Sequence, residues 1–207
     1  MPGLSRSIVE HRLPVKDGYR PFKQTLRRFK PELLEDIKKE ITRLYEAKFI
    51  RQCRYADWIS NIVPVLKKNG KLRVCIDFRD LNKATPMDSY PMPIADLLVD
   101  AALGHKVISF MDGNVGYNPI FMAEEDIPKT AFRCLGALGL YEWVVITFGL
   151  KNAGANYQRA MDYIFHKLIG RIVEIYINDV VVKSKSYKKH LADLWETLEC
   201  TRKHGLK

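Results

Sequence analysis

Glu174-Ile175-Tyr176-Ile177-Asn178-Asp179-Val180-Val181-Val182 is the stretch on which the fold of this chain turns. Two apolar, β-branched runs flank the dipeptide Asn178-Asp179, a polar pair of the kind that reverses a strand. The pattern predicts a strand over Arg171–Ile177, a turn, and a second strand over Val180–Lys183. Asp179 thereby becomes a carboxylate at a strand end. A second such carboxylate follows Lys106-Val107-Ile108-Ser109-Phe110-Met111, a buried-looking strand that ends directly at Asp112. A strand end holds a side chain more firmly than a flexible loop does. Two carboxylates brought together there would make an oxygen-rich cage suited to Mg²⁺. The ordinary alternative is that Asp and Asn only shape the turns, where both are common.

The rest of the chain supplies the context. Its 207 residues, 47% hydrophobic, suffice for a core in one domain or two joined lobes. No run of about 18 apolar residues occurs, which predicts no membrane span, and the N-terminus lacks the apolar stretch of a secretory signal. Cys53, Cys75, Cys134 and Cys200 are scattered, matching neither a disulfide framework nor a Cys-x-x-Cys metal site. Reduced thiols in an intracellular protein are the expectation. The net charge of +10 is uneven: residues 1–54 hold 14 Lys/Arg against 7 Asp/Glu, residues 183–207 hold 7 against 3, and the middle is nearly neutral. Basic flanks around a neutral centre suit a protein that grips a polyanion, although solvated helix faces give the same pattern.

Residues 1–30 lack periodicity and read as an extended arm. A helix is predicted from Pro31, with Leu34, Ile37, Ile41, Leu44, Tyr45 and Phe49 as its apolar positions. Asn61–Lys67 and Lys71–Phe78 read as a hairpin turning through Asn69-Gly70. A second helix is expected from Pro93, strands near Thr130–Cys134 and Leu140–Thr147, and a helix from about Asn152 to Leu168. The last helix, about Tyr187–His204, places Leu191, Leu194, Thr197 and Leu198 on roughly one side. Hairpins mixed with intervening helices predict an α+β fold. Gly205-Leu206-Lys207 forms no obvious terminal cap, so a piece of something longer is expected.

Five motifs carry a resemblance. Tyr176-Ile177-Asn178-Asp179 is similar to the Tyr-x-Asp-Asp hairpin of reverse transcriptases, with an amide in place of the first carboxylate. Phe110-Met111-Asp112-Gly113-Asn114-Val115-Gly116-Tyr117 resembles the first palm motif of gypsy-type LTR retrotransposon reverse transcriptases. Phe148-Gly149-Leu150-Lys151-Asn152-Ala153-Gly154-Ala155-Asn156-Tyr157-Gln158 resembles the second. Lys71-Leu72-Arg73-Val74-Cys75-Ile76-Asp77-Phe78-Arg79-Asp80-Leu81-Asn82 resembles the fingers strand, and Ala47–Arg51 and Gly139–Thr147 are also family-like.

That resemblance implies the fingers and palm of a right-hand polymerase, an antiparallel palm sheet packed on helices, with the thumb absent. The implied divisions are an arm (1–30), fingers (31–87), palm (88–119), a fingers/palm junction (120–152) and palm again (153–207). It further implies template-directed addition of dNTPs to a primer 3′-end by two Mg²⁺ ions, Mn²⁺ serving as a possible substitute. Asp112 and Asp179 would hold metal, with Asn178 at a family Asp position. Lys71, Arg73, Gly113, Tyr117, Phe148 and Gly149 would face the nucleotide, Tyr117 lying beneath its sugar. Asn152, Ala153, Gln158 and Tyr176 would face template or primer. Implied partners are an RNA or DNA template with its primer and the rest of a retrotransposon polyprotein, including thumb, ribonuclease H and integrase. A cytoplasmic particle or the nucleus is the implied location.

The departures fall on the site itself. An amide oxygen at Asn178 brings no charge to hold two dications beside a triphosphate. Asn114, Val115 and Pro119 also depart from the family pattern, and Pro119 lacks a backbone donor. The alternative is a catalytically inactive nucleic-acid-binding remnant of the same fold.

Overall fold

The computed structural model describes residues 3–66, 72–112, 118–134 and 139–206. In chain order its elements are β1 (Glu10–His11), α1 (Pro31–Glu46), β2 (Ile50–Cys53), β3 (Ser60–Leu66), β4 (Leu72–Ile76), α2 (Arg79–Ala84), α3 (Ala95–Ala102), β5 (Val107–Asp112), β6 (Phe121–Met122), a 3-10 turn (Ile127–Thr130), β7 (Phe132–Arg133), β8 (Leu140–Trp143), α4 (Ala153–Phe165), β9 (Val173–Tyr176), β10 (Asp179–Ser184) and α5 (Tyr187–Lys203). The chain is α+β and divides into two compact units. One comprises Glu10–Met87 and Phe121–Ala153; the other comprises Pro2–Val9, Asp88–Ile120 and Gly154–Lys207.

The first unit is built on a five-stranded sheet in the order β2-β8-β7-β3-β4. Pro31 opens α1, where a missing backbone donor costs nothing. Ile37, Ile41 and Leu44 recur at helical spacing and are the buried face, while Leu34 and Tyr45 reach solvent. The helix stops as Lys48 enters the left-handed region (φ 59°), and the Phe49 amide donates to the Leu44 carbonyl. That reversal delivers Phe49 and Ile50, both buried, into β2. β3 and β4 pair antiparallel as the hydrophobic pattern requires; Asn69-Gly70 lies outside the described residues. The strand expected over Leu140–Thr147 ends at Trp143, because its partner β2 runs out at Ile50.

Residues 1–30 do not behave as a free arm. Leu4 and Leu13 are fully buried, each within its own unit, and β1 pairs in parallel with β6. The Leu13 amide donates to the buried Asp126 carboxylate at 2.7 Å. Gln24 accepts from the Asn61 amide and donates to Asp80. Periodicity could not show this, because the segment is tied by single bonds rather than by a repeating face.

The second unit carries the antiparallel sheet β5-β10-β9. Val173, Ile175, Val180 and Val182 are buried in it, and α4 adds Tyr157, Met161, Ile164 and Phe165 to the core. α3 packs against β9 and α5 against β10. α3 begins at Ala95, two residues after the predicted start, because Ile94 is still extended behind the Pro91-Met92-Pro93 run.

α5 divides the side read from the sequence: Thr197 is buried and Leu194 half-buried, but two of the leucines are not. Its buried residues are His190, Asp193 and Thr197, whereas Leu191 and Leu198 face solvent with Tyr187 and Trp195. The strands beneath explain the division. His190 Nε2 shares a hydrogen bond with Ser109 of β5 (2.8 Å) and Nδ1 shares one with Ser184 of β10 (2.9 Å). Ser184 donates in turn to Asp193 at 2.6 Å. The helix lays its polar stripe on polar strand positions, and each buried group finds a partner.

Candidate active site

β9 and β10 are joined by a two-residue turn, Ile177-Asn178, closed by the pair Tyr176 and Asp179. Ile177 sits at φ 56°, and among the described non-glycine residues positive φ recurs only at Lys48 and Asn152. A positive φ at the first turn position alone is the II′ pattern, whose twist matches that of paired strands. Glycine is the usual occupant there, so the β-branched Ile177 is strained.

The other edge of β10 pairs with β5, and its register places Asp179 directly across from Asp112. Side chains opposed in this way lie roughly 4.5–5.5 Å apart at Cβ. Both carboxylates are exposed. Asn178 joins them, its Nδ2 donating to Asp112 Oδ1 at 3.0 Å. The structure thus brings Asp112, Asn178 and Asp179 together at the tip of one sheet. Among the described residues no three His, Cys, Asp or Glu side chains are grouped to hold a metal ion. What stands at the tip is two carboxylates and an amide. Hard oxygen donors of this type fit Mg²⁺, but Asn178 adds no charge, and its amide turns its NH₂ toward Asp112.

The hairpin rests on α4. Gln158 is 2% exposed; its Oε1 accepts from the Ile177 amide at 2.7 Å, and its Nε2 donates to Asp162 Oδ1 at 2.9 Å. Asp162 also accepts from the Tyr90 hydroxyl at 2.5 Å. Arg159 lies over the Tyr90 ring, 4.4 Å from its centroid, and pairs with Asp88. Burial, reinforced by the bond to Asp162, pushes the Tyr90 hydroxyl up to about 12. Gln158 and Ala153 (4% exposed) are turned to the interior, whereas a template contact requires the surface. Their small or buried side chains serve packing and hydrogen bonding instead. Tyr176 is half-buried at the hairpin base.

The expected nucleotide-facing residues that the structure describes lie in the first unit. Arg73 is exposed on β4, its guanidinium 4.9 Å from the centroid of the half-exposed Phe148 ring. Gly149 has φ 94°, and a Cβ there would stand 3.5 Å from the Ile76 carbonyl oxygen. The turn is pinned to α2: Asn82 donates to the Gly149 carbonyl and accepts from the Lys151 amide, while Lys151 Nζ donates to the Thr85 carbonyl. Asn152, at φ 65°, donates to the Pro86 carbonyl. Lys71, Gly113 and Tyr117 lie outside the described residues.

Sequence reasoning missed the Ser109–His190–Ser184–Asp193 chain and the Tyr90–Asp162–Gln158 support. The links that close them have no local signal, since Tyr90 and Asp162 stand 72 residues apart and Ser109 and His190 stand 81 apart.

Residues 65–207 match the family described as reverse transcriptase (RNA-dependent DNA polymerase). The enzymatic polyprotein of cauliflower mosaic virus (strain Strasbourg) is 29% identical over 210 residues, covering 99% of this chain and 30% of the virus protein. The Pol polyprotein of the Drosophila melanogaster transposon gypsy is 38% identical over 133 residues, 64% of this chain and 13% of that protein. A foamy viral protease–reverse transcriptase, solved in complex with double-stranded DNA, shares the fold with a TM-score of 0.77 at 17% identity, covering 94% of this chain and 33% of that one. The chain spans about a third or less of the length of these relatives. Motif order, the paired strand-end carboxylates and the match over residues 65–207 place this chain in the reverse transcriptase (RNA-dependent DNA polymerase) family.

Proposed function

We propose that this chain is the fingers-and-palm portion of a retrotransposon polymerase that adds dNTPs to a primer 3′-end against an RNA or DNA template. The observation that carries the proposal is the cross-strand pair of Asp179 and Asp112, with Asn178 hydrogen-bonded to Asp112. Asp112 and Asp179 would hold Mg²⁺, which when bound supplies activation of the primer hydroxyl and charge neutralisation at the triphosphate. Residues 31–87 and 120–152 would form the fingers side and its junction, and residues 88–119 and 153–207 the palm. Arg73, held over Phe148, would meet the triphosphate with a fixed cation, since stacking limits the arc the guanidinium can sweep. The positive flanks would track the backbone of primer and template.

Asn178 attenuates this activity in our reading. It contributes no charge, and its amide protons satisfy Asp112 in place of a cation. An inactive nucleic-acid-binding domain is the second reading, favoured by that same hydrogen bond. Primer extension with Mg²⁺ separates the two. The natural chain should extend a primer weakly, Asn178→Asp should raise single-nucleotide incorporation about a hundredfold or more, and adding Asp112→Asn should abolish the gain. Equal, robust extension by the natural chain and Asn178→Asp would overturn the attenuation. Absence of extension by both, with primer–template still bound, would favour the binding domain.

A further inference from the structure

We propose that Gln158 is a positioning residue: its buried amide holds Ile177 in the left-handed conformation and so aims Asn178 and Asp179 at Asp112. The argument begins with strain. A β-branched residue at φ 56° is unfavourable by about 1–3 kcal/mol and persists only where its surroundings over-determine it. The Ile177 amide donates to the Gln158 side chain at 2.7 Å.

The chemistry of the partners fixes the orientation of that amide. The Ile177 N–H can only donate, so it faces Oε1; the Asp162 carboxylate accepts, so it faces Nε2. A flip would oppose two donors on one side and two acceptors on the other. Nε2 also makes a longer contact, 3.5 Å, to the Ile175 carbonyl, so the side chain touches the strand before the turn as well as the turn itself. Asp162 cannot swing away freely, because its second oxygen is held by Tyr90, and Tyr90 is covered by Arg159, which is anchored on Asp88. The strained turn is therefore propped by a chain of five side chains, Gln158, Asp162, Tyr90, Arg159 and Asp88, reaching from α4 to residues 88–90. Glycine would relax into the same turn without the prop.

The consequence for metal binding rests on the proposed function; the consequence for the hairpin does not. The experiment reads both in ¹⁵N-labelled protein: exchange of the residue 177 amide with solvent, and broadening of the Asp112 and Asp179 resonances by added Mn²⁺. Gln158→Met, which keeps length and burial but not polarity, should lose at least about tenfold of the amide protection and weaken Mn²⁺ broadening by a similar factor. The double variant Gln158→Met/Ile177→Gly should regain the broadening to within about threefold while its residue 177 amide stays unprotected. Unchanged protection in Gln158→Met, or no recovery in the double variant, would overturn the proposal and leave Gln158 as core filling. If Gln158→Met does not fold, Ile177→Gly alone decides. Relief of strain should raise its melting temperature by about 2–4 °C, and no rise would overturn the proposal. A natural chain that binds no Mn²⁺ counts against the two-metal reading, while the exchange measurement still judges the prop.

Discussion

Asn178→Asp should make folding depend on divalent metal. In the natural chain Asn178 Nδ2 donates to Asp112 Oδ1 at 3.0 Å, and Asp179 stands across from Asp112 in the ladder. The substitution deletes that bond and sets a third carboxylate beside two others. Two like charges about 4 Å apart repel by about 1 kcal/mol in water and by up to about 4 kcal/mol at the lower effective dielectric near a protein surface. Both aspartates are exposed, so the low end applies. Adding the lost hydrogen bond, the variant without metal should be less stable by about 1–2 kcal/mol. For a chain of this size that is a fall of about 3–6 °C in melting temperature. Mg²⁺ at about a hundred times its dissociation constant would return about 2.7 kcal/mol, more than cancelling the loss. The assay is thermal unfolding of both proteins in EDTA and across a Mg²⁺ titration at fixed ionic strength. Equal melting in EDTA, or equal Mg²⁺ shifts in the two proteins, would refute the view that the amide relieves repulsion in a metal site.

Three further outcomes are expected. His190→Ala should cost about 2–4 kcal/mol by urea unfolding, because Ser109 and Ser184 lose a shared partner in the interior; Ser109→Ala, at the half-exposed end, should cost about 1 kcal/mol. Burial pushes the Cys134 thiol up to about 12, and burial with the nearby Glu142 carboxylate pushes Cys53 up to about 11, so at pH 8 both stay protonated and iodoacetamide should modify neither until the protein unfolds. Affinity for a primer–template duplex should fall about linearly on a logarithmic scale as salt rises from about 50 to 200 mM, measured by fluorescence anisotropy; a flat response would remove the basic flanks from the binding surface.

Strand-end carboxylates were legible because two-residue periodicity shows where a strand runs and a polar pair shows where it turns. The α+β class, α1 with its Ile37, Ile41 and Leu44 face, and the strands carrying Asp112 and Asp179 all rest on signals of that local kind. The side of α5 marked by Leu191, Leu194, Thr197 and Leu198 did not by itself say what the helix buries. A helix buries whichever stripe complements the surface it meets, and here that surface presents Ser109 and Ser184. Gln158 was expected to contact the template because its motif resembles one that shapes a template pocket; at 2% exposure its partners are Ile177 and Asp162.

The amino-acid sequence by itself determined where strands and helices lie, which carboxylates end strands, and that the turn before Asp179 carries an amide at position 178. Those are consequences of neighbours within a few residues. Tertiary structure alone decided that Asp179 stands opposite Asp112, that Asn178 reaches back to bond it, and that Ile177 is held at positive φ by a buried amide from another helix. Each depends on register between segments tens of residues apart, where one step of slippage would turn every side chain to the opposite face.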